Sequence, residues 1–228
     1  MNNLVVATRS AFREYLFEGN LDKNDLIVYE RKKDFCVNYE TKFLEQYIYE
    51  FTTQNFQSGP SQWQYFDIEN INSIKFLDLI IEIGKIKRII MTGANFLRKK
   101  QYLEVSKLVK TRLNIHMGDP HLFRGLDSNL WAMLANKKNH PVVTLHHANL
   151  NLDSGDIVFQ KKSEKPFEEM TLQEFIRFEI EASKICLQKA IEIKEETLVE
   201  SEFKNEGVYK SAMQTSDKRL AFKNLKSL

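Results

Sequence analysis

Cysteine, proline and tryptophan are scarce in this chain of 228 residues, with two, four and two copies, and neither charge sign prevails: Lys+Arg is 33 and Asp+Glu is 31. Each scarcity excludes something. Cys36 and Cys186 are too few and too far apart for a disulfide framework, so free buried thiols in a reducing, cytoplasmic setting are expected. A formal net charge of +2 provides no broad cationic face, which argues against nucleic acid as a partner. No stretch approaches the ~18 apolar residues of a membrane span. The longest apolar cluster, Leu77–Ile83, is interrupted by Asp78 and Glu82. The opening MNNLVVATRSAFREYL has neither the basic start nor the long apolar core of a secretory leader. No internal repeat or low-complexity linker is visible. What remains is 43% hydrophobic and 28% charged, enough for a sizeable core. At roughly 150 residues per domain, the length fits one large domain or one with an appendage.

Along the chain, short continuous apolar runs alternate with helical patterns. Leu4–Ala7, Leu26–Tyr29, Trp63–Phe66, Arg88–Gly93 and Arg112–His116 read as strands, most of them buried on both faces. Helices are expected over 10–18, Thr41–Phe56, 71–84 and 100–109. This β-α alternation predicts a parallel sheet covered by helices, with ligands outside the carboxyl ends of its strands. The residues just after Ala7, Met91 and Ile115 are therefore the places to look for chemistry. Further on, Met117–Gly125 reads as a polar loop and Leu126–Asn136 as a helix. Val142–Leu145 and Ile157–Phe159 read as a hairpin that adds antiparallel to the sheet. Thr171-Leu-Gln-Glu174 is a capping box opening a long amphipathic helix to about Glu196. After Glu200 the chain is polar and mixed.

Three local features carry polar groups of a reactive kind. In Asn114-Ile115-His116, strand alternation puts residues 114 and 116 on one face at a strand end. Leu152-Asp153-Ser154-Gly155-Asp156 taken alone is an ordinary turn. Phe123-Arg124-Gly125, followed by Trp131, taken alone is a loop leading into a helix.

Read together from Leu113 to Gln160, these parts resemble the formyltransferases that use 10-formyltetrahydrofolate. That family shows Asn-x-His at a strand end, a loop closing in Arg-Gly, a helix with Trp, a strand, and then Leu-Asp-x-Gly before another strand. The resemblance implies a Rossmann-like α/β fold, mostly parallel, with helices on both faces and a C-terminal helical extension. It implies a catalytic domain over 1–165, completed by the helix and tail of 166–228. It carries the family's catalytic trio onto Asn114, His116 and Asp153; Asp153 is preferred to Asp156 because it follows the Leu of the Leu-Asp-x-Gly pattern. The residue types suit acyl transfer. An Asn amide can donate to a developing oxyanion, and a His can hold or accept a proton near neutral pH. Either His116 or Asp153 can serve as the proton acceptor.

The same resemblance puts the folate donor against the loop of Gly93, Asn95, Phe96 and Leu97 and against the loop from His147 to Leu152, including Asn149. One departure is Gly118-Asp119-Pro120-His121, where much of the family has Ser-Leu-Leu-Pro. The run Arg-Gly-Leu-Asp-Ser-Asn-Leu-Trp and the tail Glu206-Gly207-Val208-Tyr209 look most like the nucleotide-sugar N-formyltransferases. That branch formylates a 3- or 4-amino deoxyhexose carried on dTDP or GDP, for surface polysaccharide such as O-antigen. Arg9, Arg124 and Lys210 are the candidate cations for a substrate pyrophosphate, and the long helix with the tail is the candidate interface of a homodimer.

The residues after Glu200 are expected to be too few for the tRNA-gripping barrel of the methionyl-tRNA branch. A start at the first strand is expected to leave out the regulatory domain of the formyltetrahydrofolate hydrolases. A glycinamide ribonucleotide acceptor is the alternative within the family, although Ala7-Thr8-Arg9-Ser10 lacks that branch's Gly-rich phosphate loop. Two readings come from other classes. One is a metal hydrolase using His116, His121, His140, His146 and His147; no HExxH or CxxC is present, adjacent His146 and His147 would point to opposite strand faces, and no metal is expected. The other is a non-catalytic module that only binds a nucleotide sugar.

Overall fold

The computed structural model describes residues 2–8, 10–31, 63–194 and 207–226. The expected helix Thr41–Phe56, Cys36 and Arg9 lie outside the described residues. The chain divides into two compact units, Met1–Asn114 with Ile193–Leu198, and Ile115–Glu192 with Val199–Leu228.

In the first unit the continuous apolar runs form strands, as their composition requires. They are β1 (Asn2–Thr8), β2 (Leu26–Glu30), β3 (Gln64–Ile68) and β4 (Ile86–Thr92). β1 pairs parallel with both β2 and β4, Val5 standing opposite Ile27 on one side and Ile90 on the other. β2 pairs parallel with β3. Between them run α1 (Ala11–Phe17), α2 (Ile74–Ile83) and α3 (Lys99–Leu108), the last leading into β5 (Thr111–His116). α2 begins where the Ser73 hydroxyl accepts the Phe76 N–H, and it ends at Gly84. Val5, Val6, Ile89 and Ile90 are fully buried, each contributing about 1.5–3 kcal/mol by leaving water.

Arg88 and Glu30 are among the polar residues buried in this unit. Arg88 has no exposed surface, and its Nη2 donates to the Ile193 carbonyl at 2.8 Å. Glu30, at the end of β2, accepts the Ile71 N–H at 3.0 Å, the Asn95 N–H at 2.8 Å and the Asn95 side-chain amide at 2.9 Å. These bonds satisfy the buried carboxylate and pin the loop that follows β4.

The second unit holds β7 (Val142–His147) and β8 (Ile157–Lys162), paired antiparallel as the hairpin reading predicts. β7 runs two residues beyond its predicted end, to His147. α4 (Ser128–Ala135) carries Trp131. α5 (Leu172–Glu192) opens on the predicted capping box. Thr171 Oγ1 accepts the Glu174 N–H at 3.2 Å, and Glu174 Oε2 accepts the Thr171 N–H at 2.8 Å. Phe175, Ala182, Cys186 and Leu187 lie along its buried side.

Two elements differ from the sequence reading. Phe123–Gly125, expected within a loop, is a short strand, β6, that pairs parallel with β9 (Val208–Lys210) from the tail. The tail then continues into α6 (Thr215–Phe222), where a polar, mixed segment was expected. The strands are ordered β3-β2-β1-β4-β5-β7-β8 by hydrogen bonding, a mostly parallel seven-stranded α/β sheet.

Candidate active site

The carboxyl end of β5 delivers the first functional group. Strand alternation sets Asn114 and His116 on one face; Asn114 is half-buried and His116 is buried. The chain then turns at Gly118, whose N–H donates to the His116 carbonyl at 3.1 Å. A Cβ on Gly118 would lie 2.9 Å from His116 Nε2 and 2.4 Å from Ser128 Cβ, so only glycine fits beside the imidazole. This is the point at which the sequence departs from the family's Ser-Leu-Leu-Pro.

Asp153 arrives from the loop before β8. Its φ is +48°, a left-handed conformation that Asp tolerates better than most residues. That turn aims the carboxylate inward. Oδ2 lies 3.3 Å from His116 Nδ1 and accepts the Gly125 N–H at 2.9 Å. Oδ1 lies 3.4 Å from His146 Nε2. Asp153 is thus the centre of a buried His-Asp-His cluster, whose two imidazole rings stand 6.2 Å apart, edge to face.

The electrostatics follow from burial and these contacts. Burial pushes the Asp153 acid upward, but His116, the hydrogen bond and charge of His146, and the Gly125 N–H outweigh it and hold the group down at about 2. Burial lowers His116 below the ordinary histidine value; Asp153 opposes this, His146 adds to it, and the Phe123 carbonyl opposes it. The pair at neutral pH is therefore a carboxylate beside a neutral imidazole. The Phe123 carbonyl oxygen lies 3.4 Å from His116 Nε2, so both ring nitrogens face an acceptor. The neutral ring can donate to one of these acceptors, and a protonated ring to both. A proton taken up at this imidazole has a receptor already in place.

Of the expected catalytic residues, the structure brings His116 and Asp153 together and sets Asn114 on the same strand face as His116. It adds His146, which the sequence reading weighed only as a metal ligand. Asp156 contributes its main-chain oxygen to the His147 N–H at 2.9 Å. The five histidines do not gather: His121 is exposed, and His140 Nδ1 lies 2.9 Å from the Ser163 carbonyl. Among the described residues, no group of three or more His, Cys, Asp or Glu is arranged to hold a metal ion.

The residues expected against a folate fall in two loops, one in each unit. After β4, Asn95 is fixed to Glu30, Leu97 is buried and Phe96 is 47% exposed. Gly93 has a φ of +60°, and the neighbouring Thr92 carbonyl accepts from Arg13 Nε at 3.0 Å. Before Asp153, the Asn149 side-chain oxygen accepts the Ser154 hydroxyl at 2.8 Å and the Asn151 N–H at 3.1 Å, while Leu152 is half-buried. Asn95 and Asn149 therefore use their side chains to set the shape of their own loops.

Of the expected cations, Arg124 donates its Nε to the Gly207 carbonyl at 2.7 Å. The Lys210 ammonium lies 4.7 Å from the centre of the Trp131 ring. Arg13 was not singled out from the sequence. Its guanidinium is enclosed at the start of α1, held down to about 10 by burial, and bonded to the Thr92 carbonyl and the Ser10 hydroxyl.

No family model matches this sequence, and no curated protein matches it either. Solved structures do match. A sugar N-formyltransferase from a Shewanella species superposes with a TM-score of 0.57 at 14% identity, covering 98% of this chain and 87% of that one. WlaRD, a sugar 3N-formyl transferase solved in the presence of dTDP and 5-N-formyl-THF, gives 0.58 at 11% identity, covering 97% and 79%. HypX from Aquifex aeolicus, in complex with tetrahydrofolic acid, gives 0.56 at 18% identity, covering 94% of this chain and 30% of that one. The chain has the formyltransferase fold.

Proposed function

We propose that this chain is an N-formyltransferase that moves a formyl group from 10-formyltetrahydrofolate to the amine of a nucleotide-linked amino deoxysugar. The buried His116–Asp153 pair carries this reading. Its histidine stands at the carboxyl end of β5, two residues after Asn114, in a fold shared with sugar formyltransferases. The exposure of Phe96, on a loop pinned by Glu30, supports its reading as a surface for the planar ring of a folate. When bound, the folate supplies the formyl carbon.

The chain's own groups do the rest. Asn114 donates its side-chain amide to the formyl oxygen as charge builds there. His116, neutral at Nε2 when its Nδ1–H points to Asp153, takes the proton that the attacking amine must lose and would return it to the donor nitrogen that leaves as its bond to the formyl carbon breaks. Asp153 stays ionised and stabilises the imidazolium that forms, as its position between two imidazoles favours. Arg124 and Lys210, one register step apart on the β6–β9 ladder, are the cations offered to a substrate pyrophosphate; Arg9 is a further candidate by sequence alone. The enzyme is read as cytoplasmic; among the described residues, no helix is long and apolar enough to cross a membrane.

The test is a mass-spectrometric assay with 10-formyltetrahydrofolate and a panel of dTDP-, GDP- and UDP-linked 3- and 4-amino sugars. The expected result is one formyl group gained by one panel member. Release of formate with every sugar unchanged would replace this reading with a formyltetrahydrofolate hydrolase. Formylation of glycinamide ribonucleotide alone would move the acceptor class. Saturable sugar binding with neither product would indicate a binding module.

A further inference from the structure

The tail reaches the His–Asp pair through the main chain of β6. β6 touches both ends of the pair: the Phe123 carbonyl lies 3.4 Å from His116 Nε2, and the Gly125 N–H donates to Asp153 Oδ2 at 2.9 Å. Three residues cannot hold themselves as a strand, and the sheet partner of β6 is β9. The Val208 N–H donates to the Leu122 carbonyl at 3.1 Å, and the Leu126 N–H donates to the Lys210 carbonyl at 3.2 Å. Gly125 has a φ of +99°, and a Cβ there would lie 2.1 Å from the Lys210 oxygen, so the two strands meet without room for a side chain.

Past β9 the tail is tied down repeatedly. Trp131 Nε1 donates to the Ser211 carbonyl at 3.1 Å. The Met213 N–H donates to Asp127 Oδ2 at 2.9 Å, and Lys218 pairs with the same carboxylate at 3.1 Å. Asn224 and Lys226 bond to main-chain oxygens of Met133 and Met170.

We propose that residues 207–226 are a strap that positions the reacting pair. By holding β6 in register, they place the Phe123 carbonyl and the Gly125 N–H on His116 and Asp153, so tail docking and proton transfer are coupled. The proposal rests on the reading of His116 and Asp153 as the reacting pair. Val208 is a suitable lever. Its side chain is 57% exposed, so a change there disturbs no core, and its N–H is one of the bonds that hold β9.

The experiment is a histidine ring NMR titration of the full-length protein without substrate, with the His116 signal assigned by its loss in His116→Gln. Val208→Pro deletes the N–H, whereas Val208→Thr keeps it. The Phe123 carbonyl held on Nε2 favours the protonated ring, so withdrawing it by loosening the strap is expected to move the His116 midpoint further below 6.5 in Val208→Pro. Val208→Thr is expected to keep the wild-type midpoint. In the formyl-transfer assay, Val208→Pro should lower kcat about tenfold or more with a smaller change in KM, as expected when catalytic groups lose alignment.

Should Val208→Pro not fold, Trp131→Phe combined with Lys218→Ala removes two anchors instead, and the same shift is expected. A wild-type His116 midpoint in the variant that folds overturns the proposal. The titration needs no substrate, so the two readings fail separately. A moved midpoint in a protein that formylates no amine keeps the strap and removes the proposed reaction, while an unmoved midpoint in an active enzyme does the reverse.

Discussion

His146 Nε2 stands 3.4 Å from Asp153 Oδ1, on the carboxylate oxygen opposite the one that faces His116. His146 Nδ1 lies 2.8 Å from the carbonyl of its neighbour His147, which fixes the plane of its ring. The second imidazole thus holds the carboxylate in line with the first. His146→Gln is expected to lower kcat about tenfold, and its effect should not add to that of Asp153→Asn. A double-mutant cycle should show coupling on the order of 1 kcal/mol. Full additivity would mean that His146 serves packing alone.

Activity should fall on the acid side. His116 is held below 6.5, so it is neutral at pH 7 and gains its proton on acidification. kcat/KM is expected to be level near pH 7 and to drop with a single proton below 6.5. His116→Ala should remove that limb and cut turnover by at least the roughly 10²–10⁴-fold typical of acid–base catalysis. Stability follows the same sign, because near this pH the unfolded chain binds the proton more readily. The contribution is present above 6.5 and lost as pH falls through the lower folded value. Asp153 adds a second window, present above 3.8 and lost as pH falls through about 2. Urea unfolding at a series of pH values measures both.

Gly118→Ala tests how closely the site is fitted. The added carbon meets Ser128 Cβ and the His116 ring, so the imidazole must turn away from Asp153. A kcat loss on the order of 10²-fold is expected. Destabilisation of about 1–3 kcal/mol should accompany it, as for other overpacked sites. Steady-state kinetics with thermal unfolding will separate the two effects.

Glu179 offers a test away from the reaction. Its carboxyl is enclosed and pushed up to about 7, chiefly by burial and further by Asp127, with Asn129 opposing. Its stabilising contribution is greatest below pH 4.5 and is lost as pH rises toward 7. Glu179→Gln keeps an acceptor for the Asn129 amide, which donates to Glu179 Oε1 at 3.0 Å. The variant should be more stable than wild type at pH 8, on the order of 2 kcal/mol, with a smaller gap at pH 5.5. Equal denaturant midpoints at both pH values would contradict this.

Much of this architecture was legible because local pattern and burial agree. Leu4–Ala7 and Ile89–Met91 are continuous apolar runs, and each is a strand buried on both faces. Thr171 and Glu174 close the box that their spacing announces. His116 and Asp153 stood out through the order of the motifs around them. The β6–β9 ladder did not, because three residues carry no readable period and Arg124 meets Gly207 only through the tertiary fold. His146 was passed over for a related reason. Beside His147 it reads as half of an outward and inward pair, and nothing local reveals that Asp153 turns back beneath it.

The left-handed backbone at Asp153 narrows what can replace it. Of the residues other than glycine, Asn shares that conformation most readily, and it is nearly the same size as Asp. It can occupy the turn but cannot stay anionic between two imidazoles. One substitution thus separates shape from charge at this position, and Asp153→Asn is expected to be a slowed form that keeps the turn.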